Sequence, residues 1–297
     1  MNMEKDIRDK PNIRSEDITG LNFIRDSGTY LFRKHYRQGL RSHIMEVLDS
    51  NDIRKEKKGE VVDGIRLFPR AKPLKMLRIF INRFDGLEDA LKEAKQFKII
   101  ARYLGSEVIA ASDEFVVDYV RPGGREIVLC GLQEYVEGEI LDPWGPLHVK
   151  HLAELFKCME GSRESGGDRP LEALVQKACT SADNLVGRLK KMILEGNCIP
   201  DLSGVGNLIL TRKGNIKLVD INNISPVTFS TEISLDDKGY PVCDKSIEVI
   251  SLMEKKLLQR PIQMNETIYR TFLDPQRMKK VRAIEKDFFT ATSSEVR

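Results

Sequence analysis

The pattern that most constrains the fold lies just after residue 200, where two short apolar runs are separated by a Lys-Gly-Asn turn. Residues 208–210 and 216–219 predict two strands, because short apolar runs on either side of a Gly-containing turn are typical of a β-hairpin. Asp201 and Asn207 precede the first strand, and Asp220 ends the second. The sequence therefore predicts a hairpin that carries two acids and an amide.

These three side chains are suited to a divalent cation and a phosphate. Mg²⁺ takes oxygen ligands and uses one or two protein carboxylates together with substrate phosphates. Asp220 and Asn207 can supply such ligands, and Asp201 can orient and deprotonate the acceptor hydroxyl that phosphoryl transfer requires. The alternative is a plain surface hairpin, because acids and Asn flank β-turns in many proteins.

The segment resembles the catalytic loop and metal-binding strand of the protein-kinase-like superfamily, which carry a catalytic Asp, a metal-binding Asn and a metal-binding Asp in this order. The thirteen residues from Asn207 to Asp220 match the family interval, whereas the six from Asp201 to Asn207 exceed it by one. Ile199-Pro200 stands where the family has His-Arg, and Ile221-Asn222 where it has Phe-Gly. The resemblance implies that Asp201 is catalytic and that Asn207 and Asp220 hold the metal, as in bacterial kinase-like phosphotransferases with divergent motifs.

An upstream strand and helix follow in the order that this resemblance implies. Residues 75–84 are apolar and β-rich enough for a strand, and residues 87–104 predict a helix that stops at Gly105. On this helix Glu93 shares one stripe with three apolar residues, Phe97, Ile100 and Leu104. The helix therefore directs a carboxylate inward, where it needs a cation.

In kinases the corresponding glutamate pairs with a strand lysine that holds the nucleotide phosphates. By resemblance, Arg78 stands at the lysine position and Glu93 is its partner. Because Arg is a planar fork and Lys a compact ammonium, the substitution bears on catalysis more than on nucleotide binding. An ordinary ion pair between a strand and a helix is the alternative.

A third upstream element is an apolar run from Glu126, which predicts a buried strand leaving its sheet through a connector that ends at Gly138. The resemblance implies that backbone groups near Glu134 and Val136 bind the adenine edge of a nucleotide. The glycine-rich phosphate loop of the family is not identified in the sequence. Three glycines are candidates, but none forms the family motif: Gly28, Gly59 and Gly64.

Composition limits the other classes of protein. With 297 residues, 41% hydrophobic and 31% charged, the chain can bury a substantial core. A net charge of +3 gives no support for a nucleic-acid partner, and five widely spaced cysteines without a C-x-x-C pair indicate neither zinc nor a disulfide framework. The N-terminus is polar and no long apolar run occurs, so we expect no membrane span and a cytoplasmic location.

We therefore expect an α+β chain with the two-lobed protein-kinase-like fold. A polar arm (1–20) would precede a nucleotide-binding lobe (21–137) with a small antiparallel sheet and one packed helix, and a mainly helical lobe (138–297) would carry the catalytic loop. The resemblance implies ATP and Mg²⁺ as cofactors and a hydroxyl acceptor, either protein Ser/Thr or a small molecule. No Ala-Pro-Glu follows Asp220, which argues against a typical eukaryotic-type protein kinase. The alternatives are a catalytically inactive kinase-like protein that binds a nucleotide or a partner, and an unrelated α+β domain.

Overall fold

The computed structural model describes residues 6–25, 28–36, 41–121, 124–160 and 170–295. This part of the chain is α+β, with a five-stranded antiparallel sheet and several helices. Contacts between residues divide it into two compact units. The first contains the residues up to Gln96 together with Ala111–Tyr135, and the second contains Phe97–Ala110 together with the residues from Val136 onward.

The first unit is built on strands from three parts of the chain. They are β1 (Tyr30–Lys34), β2 (Ser42–Asp49), β3 (Glu60–Val62), β4 (Ile65–Leu67), β5 (Lys75–Phe80), β6 (Ser112–Arg121) and β7 (Gly124–Glu134). Five of them form the main sheet in the order β1-β2-β5-β7-β6, whereas β3 and β4 pair with each other in a separate hairpin. The predicted strand at residues 75–84 is confirmed as β5, a central strand that is buried from Met76 to its end.

One face of this sheet is apolar and is covered by the N-terminal segment. A 3₁₀ turn (Ile7–Asp9) contributes Ile7, the short helix α1 (Ser15–Thr19) contributes Ile18, and Ile13 lies between them; each is at most 3% exposed. They pack in one cluster with alternate residues of the strands, including Met45, Val47, Leu77, Ile79 and Val128. The described part of the expected polar arm is therefore packed against the sheet. The sequence did not indicate this packing, because the three isoleucines lie among charged residues.

Two further helices belong to the region around this sheet. Helix α2 (Ser50–Lys58) follows β2 directly, and α3 (Leu87–Leu104) has the bounds that the sequence predicts. The expected stripe is confirmed, since Phe97, Ile100 and Leu104 are buried and Glu93 is half-buried. The C-terminal half of α3, from Phe97, belongs to the second unit and contributes to its core.

The second unit is mainly helical and carries five short strands. Its helices are α4 (Val149–Glu160), α5 (Leu171–Gly196), α6 (Val242–Leu252), which continues as a π-helical turn (Met253–Leu257), α7 (Thr267–Phe272) and α8 (Pro275–Glu295). Its strands are β8 (Gly138–Ile140), β9 (Cys198–Pro200), β10 (Leu208–Thr211), β11 (Ile216–Leu218) and β12 (Ile224–Pro226). They form a three-stranded sheet, β11-β10-β8, and a β12-β9 pair. None of the described helices is long and apolar enough to cross a bilayer.

Gly138 marks the point where β8 and β10 approach most closely. It lies opposite Thr211 in the antiparallel register. A Cβ at this position would overlap the carbonyl oxygen of Leu210 and would lie 2.8 Å from Cγ2 of Ile209. Because the overlapping atom belongs to the backbone of a strand, it cannot rotate away, and the position requires glycine.

We expect Gly138→Ala to lower the free energy of unfolding by about 1–3 kcal/mol, because the added methyl group strains the pairing of β8 with β10. The measurement is urea unfolding. Gly187→Ala is the matched control: Gly187 lies within α5, where an added Cβ has no neighbour within 4 Å. That change should instead stabilise the protein by about 0.5–1 kcal/mol. Equal effects of the two changes would contradict the close approach.

The packed N-terminal segment gives a second test. Ile18→Ala should lower the free energy of unfolding by about 2–5 kcal/mol, since it removes a fully buried side chain and leaves a cavity. The exposed Ile99 on α3 provides the control, and Ile99→Ala should change stability by no more than about 0.5 kcal/mol. An Ile18→Ala effect as small as the control would show that the segment is not part of the core.

Candidate active site

The predicted hairpin near residue 200 is confirmed as β10 and β11, which pair from Leu208 opposite Leu218. Beyond this pair the ladder is extended by one hydrogen bond, in which the N–H of Val219 donates to the carbonyl of Asn207 at 2.9 Å. Asp220 comes directly after Val219. The end of the hairpin therefore brings Asn207 beside the backbone that carries Asp220.

The loop between Asp201 and Asn207 is closed by the amide of Asn207. Its Nδ2 donates to the carbonyl of Asp201 at 2.9 Å, and its N–H donates to the carbonyl of Gly204 at 3.0 Å. A Cβ on Gly204 would lie 2.7 Å from this Nδ2, so the loop depends on glycine at that position. Because the amide donates through Nδ2, its Oδ1 is the atom that can bind a cation.

The carboxylate of Asp201 is held by two neighbours. Its Oδ1 accepts from the N–H and the Oγ of Ser203 at 2.8 and 2.7 Å, and its Oδ2 accepts from Nδ2 of Asn223 at 3.3 Å. Burial raises the pKa of Asp201, and the charge of Asp220 raises it further, whereas the hydrogen bonds from Ser203 and Asn223 lower it. Asp201 is thus a fixed carboxylate that binds a proton more readily than an exposed one.

The surrounding elements fix this loop at both ends. Strand β9, which comes directly before the loop, pairs with β12, which follows the hairpin. The N–H of Asp201 extends this pairing by donating to the carbonyl of Asn223 at 2.9 Å. The N–H of Leu202 donates to Oγ of Ser246 on α6 at 3.0 Å, and the indole Nε1 of Trp144 donates to the carbonyl of Ser203 at 2.8 Å. The loop is therefore tied to a second strand, a helix and an aromatic side chain.

A cluster of aromatic and charged residues lies next to the loop. The hydroxyl of Tyr240 donates to Glu285 at 2.9 Å, and Asp201 and Glu285 both raise the pKa of Tyr240, although burial is the largest cause. The buried Lys245 places Nζ 4.0 Å from the ring centroid of Trp144 and donates to Glu285 at 3.0 Å. This cluster gives one side of the site both apolar surface and paired charge.

Ser203, Asn223, Trp144 and Ser246 were not among the sequence candidates. Ser203 had a local signal, because a serine two residues after an Asp is typical of a turn in which the carboxylate accepts from the backbone. Trp144 is the only tryptophan in the chain, but its partner is far away in sequence. Contacts of this kind depend on the fold and leave no local pattern.

Arg78 lies in the first unit, on the face of the main sheet opposite the apolar cluster. It is 6% exposed, its Nε donates to Oγ of Ser42 at 3.4 Å, and its guanidinium lies 5.7 Å from the ring centroid of Phe80. Burial raises the pKa of Glu114, and the charge of Arg78 opposes that rise. Arg78 is therefore a buried cation that acts on a half-buried carboxylate of β6.

Glu93 responds to other charges. Burial raises its pKa most, Arg41 lowers it, and Asp89 raises it. Among the described residues, the charges that act on Glu93 and on Glu114 thus come from two different arginines. Arg41 thus acts on Glu93 and Arg78 acts on Glu114, and the pairing of Arg78 with Glu93 that the resemblance implies stays a prediction.

The predicted connector begins where β7 ends at Glu134. The N–H of Glu134 donates to the carbonyl of Ala111 at 2.7 Å, and its Oε2 accepts from the N–H of Ala111 at 3.1 Å. Glu134 thus belongs to the first unit, whereas Val136 belongs to the second. Because the N–H of Glu134 is bonded to Ala111, the backbone groups of the connector that follow it are the ones that we expect to bind the adenine edge of a nucleotide.

The candidate glycines lie at three turns. Gly28 comes shortly before β1, Gly59 ends α2 with φ +74°, and Gly64 forms the β3–β4 turn. In that turn Asp63 and Gly64 have φ values of +50° and +79°, as a two-residue hairpin turn requires. The connection from β1 to β2 includes residues 37–40, which are outside the described part of the chain.

Asn207 and Asp220 offer few ligands to a metal ion. Across the described residues, no group of three or more His, Cys, Asp or Glu side chains could hold a metal ion. Asn207 and Asp220 therefore do not resemble a resident metal centre. They do fit Mg²⁺ that arrives with a nucleotide, since Mg²⁺ keeps few protein ligands and completes its shell with phosphates and water.

The chain shows little similarity to known proteins. No family model matches the chain, and no curated protein matches it in sequence. Among solved structures it is similar to one described as "ROP18 kinase domain in complex with AMP-PNP and sucrose", with 12% identity and a TM-score of 0.35, over 89% of this chain and 80% of that chain. This similarity is too low to assign a function to the chain.

The charge of Asp201 can be tested by two changes with opposite effects. We expect Asp220→Asn to lower the pKa of Asp201, because it removes a neighbouring negative charge, and Ser203→Ala to raise it, because it removes a hydrogen bond to the carboxylate. Titration of the Asp201 side-chain carbon signal by NMR measures both. Shifts of the same sign in the two variants would contradict the geometry.

The same carboxylate affects stability. A raised pKa means that the folded state binds the proton more tightly than the unfolded state does, so protonation of Asp201 stabilises the fold. This stabilisation is fully present below the ordinary pKa of 3.8 and is lost as pH rises through the raised pKa. Relative to wild type, Asp201→Asn should therefore gain stability between acid and neutral pH, as measured by urea unfolding at several pH values. A difference that stays constant with pH would contradict this.

Proposed function

We propose that the protein is an ATP- and Mg²⁺-dependent phosphotransferase of the two-lobed protein-kinase-like fold, which transfers the γ-phosphate to a hydroxyl acceptor. The acceptor is either a protein Ser/Thr or a small molecule. The observation that carries the proposal is the closed loop in which Asn207 donates to the Asp201 carbonyl while its own carbonyl accepts from Val219. Two acids and an amide oxygen are thereby collected at one end of a hairpin.

In this proposal Asp220 and Oδ1 of Asn207 would hold the Mg²⁺ that accompanies a nucleotide. When bound, the ion neutralises charge on the phosphates and fixes their position. The orientation of Asn207 suits this role, because the bond from Nδ2 to the Asp201 carbonyl directs the other amide atom away from that carbonyl. The amide thus links the metal side of the site to the acceptor side.

Asp201 would act on the acceptor. Its carboxylate accepts the proton of the hydroxyl as that oxygen forms a bond to the γ-phosphorus, while the bond from phosphorus to the bridging oxygen breaks and ADP leaves. A raised pKa favours this step, because a carboxylate that binds a proton more readily is a better general base near neutral pH. The two hydrogen bonds from Ser203 keep it in one orientation.

By the resemblance, four further residues would help to hold the nucleotide. Arg78 would contact the phosphates as a bidentate donor, with Glu93 on α3 contributing to the same region, and backbone groups near Glu134 and Val136 would bind the adenine edge. A guanidinium suits phosphate oxygens through two parallel hydrogen bonds. This part of the proposal gives Arg78 a binding role and leaves proton transfer to Asp201.

A catalytically inactive, nucleotide-binding protein is the second candidate. It is favoured by the sequence, in which Arg78 stands at the lysine position and Ile199-Pro200 stands in place of His-Arg. An active kinase requires the corresponding cation and glutamate to act together. The two candidates share the metal and nucleotide site and differ in turnover.

Binding and turnover can be separated with two substitutions. Mg²⁺ with ATP should stabilise the wild type by about 2.7 kcal/mol at a hundredfold excess over Kd, measured by thermal shift. Asp220→Ala should abolish that shift, because it removes the main ligand of the ion. Asp201→Asn should keep the shift and lower γ-phosphate release or self-phosphorylation about 10²–10⁴-fold, because it removes only the base.

A control for surface charge is Asp287→Asn, at an exposed position of α8, which should leave both readouts unchanged. A wild type that shows the shift but no more turnover than Asp201→Asn would favour the inactive candidate. No Mg²⁺-ATP shift in the wild type, or the same shift in Asp220→Ala, would overturn both candidates.

A further inference from the structure

The connection between β2 and β5 is far longer than its ends require. These strands are antiparallel neighbours, with Val47 opposite Lys75, and a turn of two to five residues commonly joins such a pair. The chain instead uses residues 50–74, which contain α2 and the β3–β4 hairpin. Insertions of this kind lie on the surface and commonly carry binding functions.

The base of this insertion is firmly attached to the sheet. Ile53 and Ala71 are buried and pack with Leu48. The carboxylate of Glu56 accepts from the N–H of Ala71 at 2.6 Å and from the guanidinium of Arg33 on β1 at 3.0 Å. The insertion is therefore presented from a fixed base.

The outer part of the insertion is apolar and exposed. Every residue from 61 to 70 is exposed. In the hairpin register Val62 lies opposite Ile65, and Leu67 lies on the same face, with exposures of 46%, 64% and 46%. Phe68 follows at 60%. Three exposed apolar side chains on one face of a two-stranded hairpin, which has little stability of its own, together with Phe68 directly after it, indicate an interaction surface.

The insertion also concentrates positive charge. Residues 50–74 contain seven Lys or Arg and four Asp or Glu, a net charge of +3, which equals the net charge of the whole chain. All seven basic residues are exposed: Arg54, Lys55, Lys57, Lys58, Arg66, Arg70 and Lys72. Of the acids, Glu56 is held by Arg33, and Glu60 lies 3.4 Å from Lys55. The exposed apolar residues thus lie in a basic segment of the chain.

We propose that this insertion docks the protein onto the surface of an anionic lipid bilayer. Apolar side chains among lysines and arginines are the combination that binds such surfaces, since the apolar groups enter the interface and the bases contact lipid headgroups. The apolar face of Val62, Ile65 and Leu67 lies at the bilayer together with Phe68, and the bases of α2 and of residues 66–72 contact phosphate and carboxylate groups.

Other occupants fit the same observations less well. The insertion of a second copy would bring two net positive surfaces together, which like charges disfavour. A stable protein interface buries about 800 Å² on each partner, far more than a face built on two three-residue strands provides. A soluble polyanion would bind the bases but gives no role to the four exposed apolar side chains.

Vesicle flotation of the full chain tests the proposal. The wild type should float with phosphatidylcholine vesicles that contain phosphatidylserine and not with phosphatidylcholine alone, and added salt should weaken the binding. Two triple variants should each reduce the bound fraction about tenfold: Val62→Ser/Ile65→Ser/Leu67→Ser and Lys57→Gln/Lys58→Gln/Arg70→Gln. Because every changed residue is exposed, the melting temperature should stay that of the wild type.

Matched controls are changes at exposed apolar and basic residues elsewhere, which should leave flotation unchanged: Leu194→Ser/Leu235→Ser/Met264→Ser and Lys279→Gln/Lys280→Gln. Asp220→Ala should also float normally, which separates this inference from the proposed phosphotransfer. A wild type that floats with neither vesicle would overturn the proposal. So would insertion variants that bind like the wild type, or binding to heparin that only the basic variant loses while vesicles are not bound.

Discussion

The hydrogen bond from the Asn207 amide to the Asp201 carbonyl is the contact on which the candidate site depends. It closes a loop that would otherwise have seven residues to arrange, and the adjoining carbonyl of Asn207 is held by Val219 at the end of the β10–β11 hairpin. One residue therefore connects the loop to the sheet. The close fit of Gly204 against this amide shows that the turn before Asn207 requires a residue without a side chain.

Placing Asp201 near Asp220 has an electrostatic cost that the loop offsets only in part. Burial and the neighbouring acid both disfavour a charge on Asp201, and Ser203 and Asn223 return some of the lost solvation through hydrogen bonds. Two acids kept close together in this way suit a site that receives a cation, because a bound divalent ion reverses the repulsion between them. The same arrangement would be a poor choice for a hairpin that serves only as surface structure.

The sequence predicted local elements well and distant contacts poorly. The hairpin, β5 and the bounds of α3 were predictable because each has its own periodicity and turn residues. The packing of Ile7, Ile13 and Ile18 was missed, because isolated apolar residues among charges show no period and their burial depends on a sheet formed later in the chain. The acceptors of the Trp144 indole and of the Leu202 N–H were also missed, since spacing fixes which element carries a group and not which distant element faces it.

The support of the loop extends further than its own hydrogen bonds. Trp144 fixes the Ser203 carbonyl, and its ring lies against the ammonium of Lys245, which donates to Glu248 and to Glu285 of α8. A buried ammonium is tolerated only with such partners, and removing one of them would leave a charge uncompensated. The orientation of Asp201 therefore depends, through Ser203 and Trp144, on ion pairs between α6 and α8. A loop supported in this way is rigid because several distant elements must fold correctly before its carboxylate takes its position.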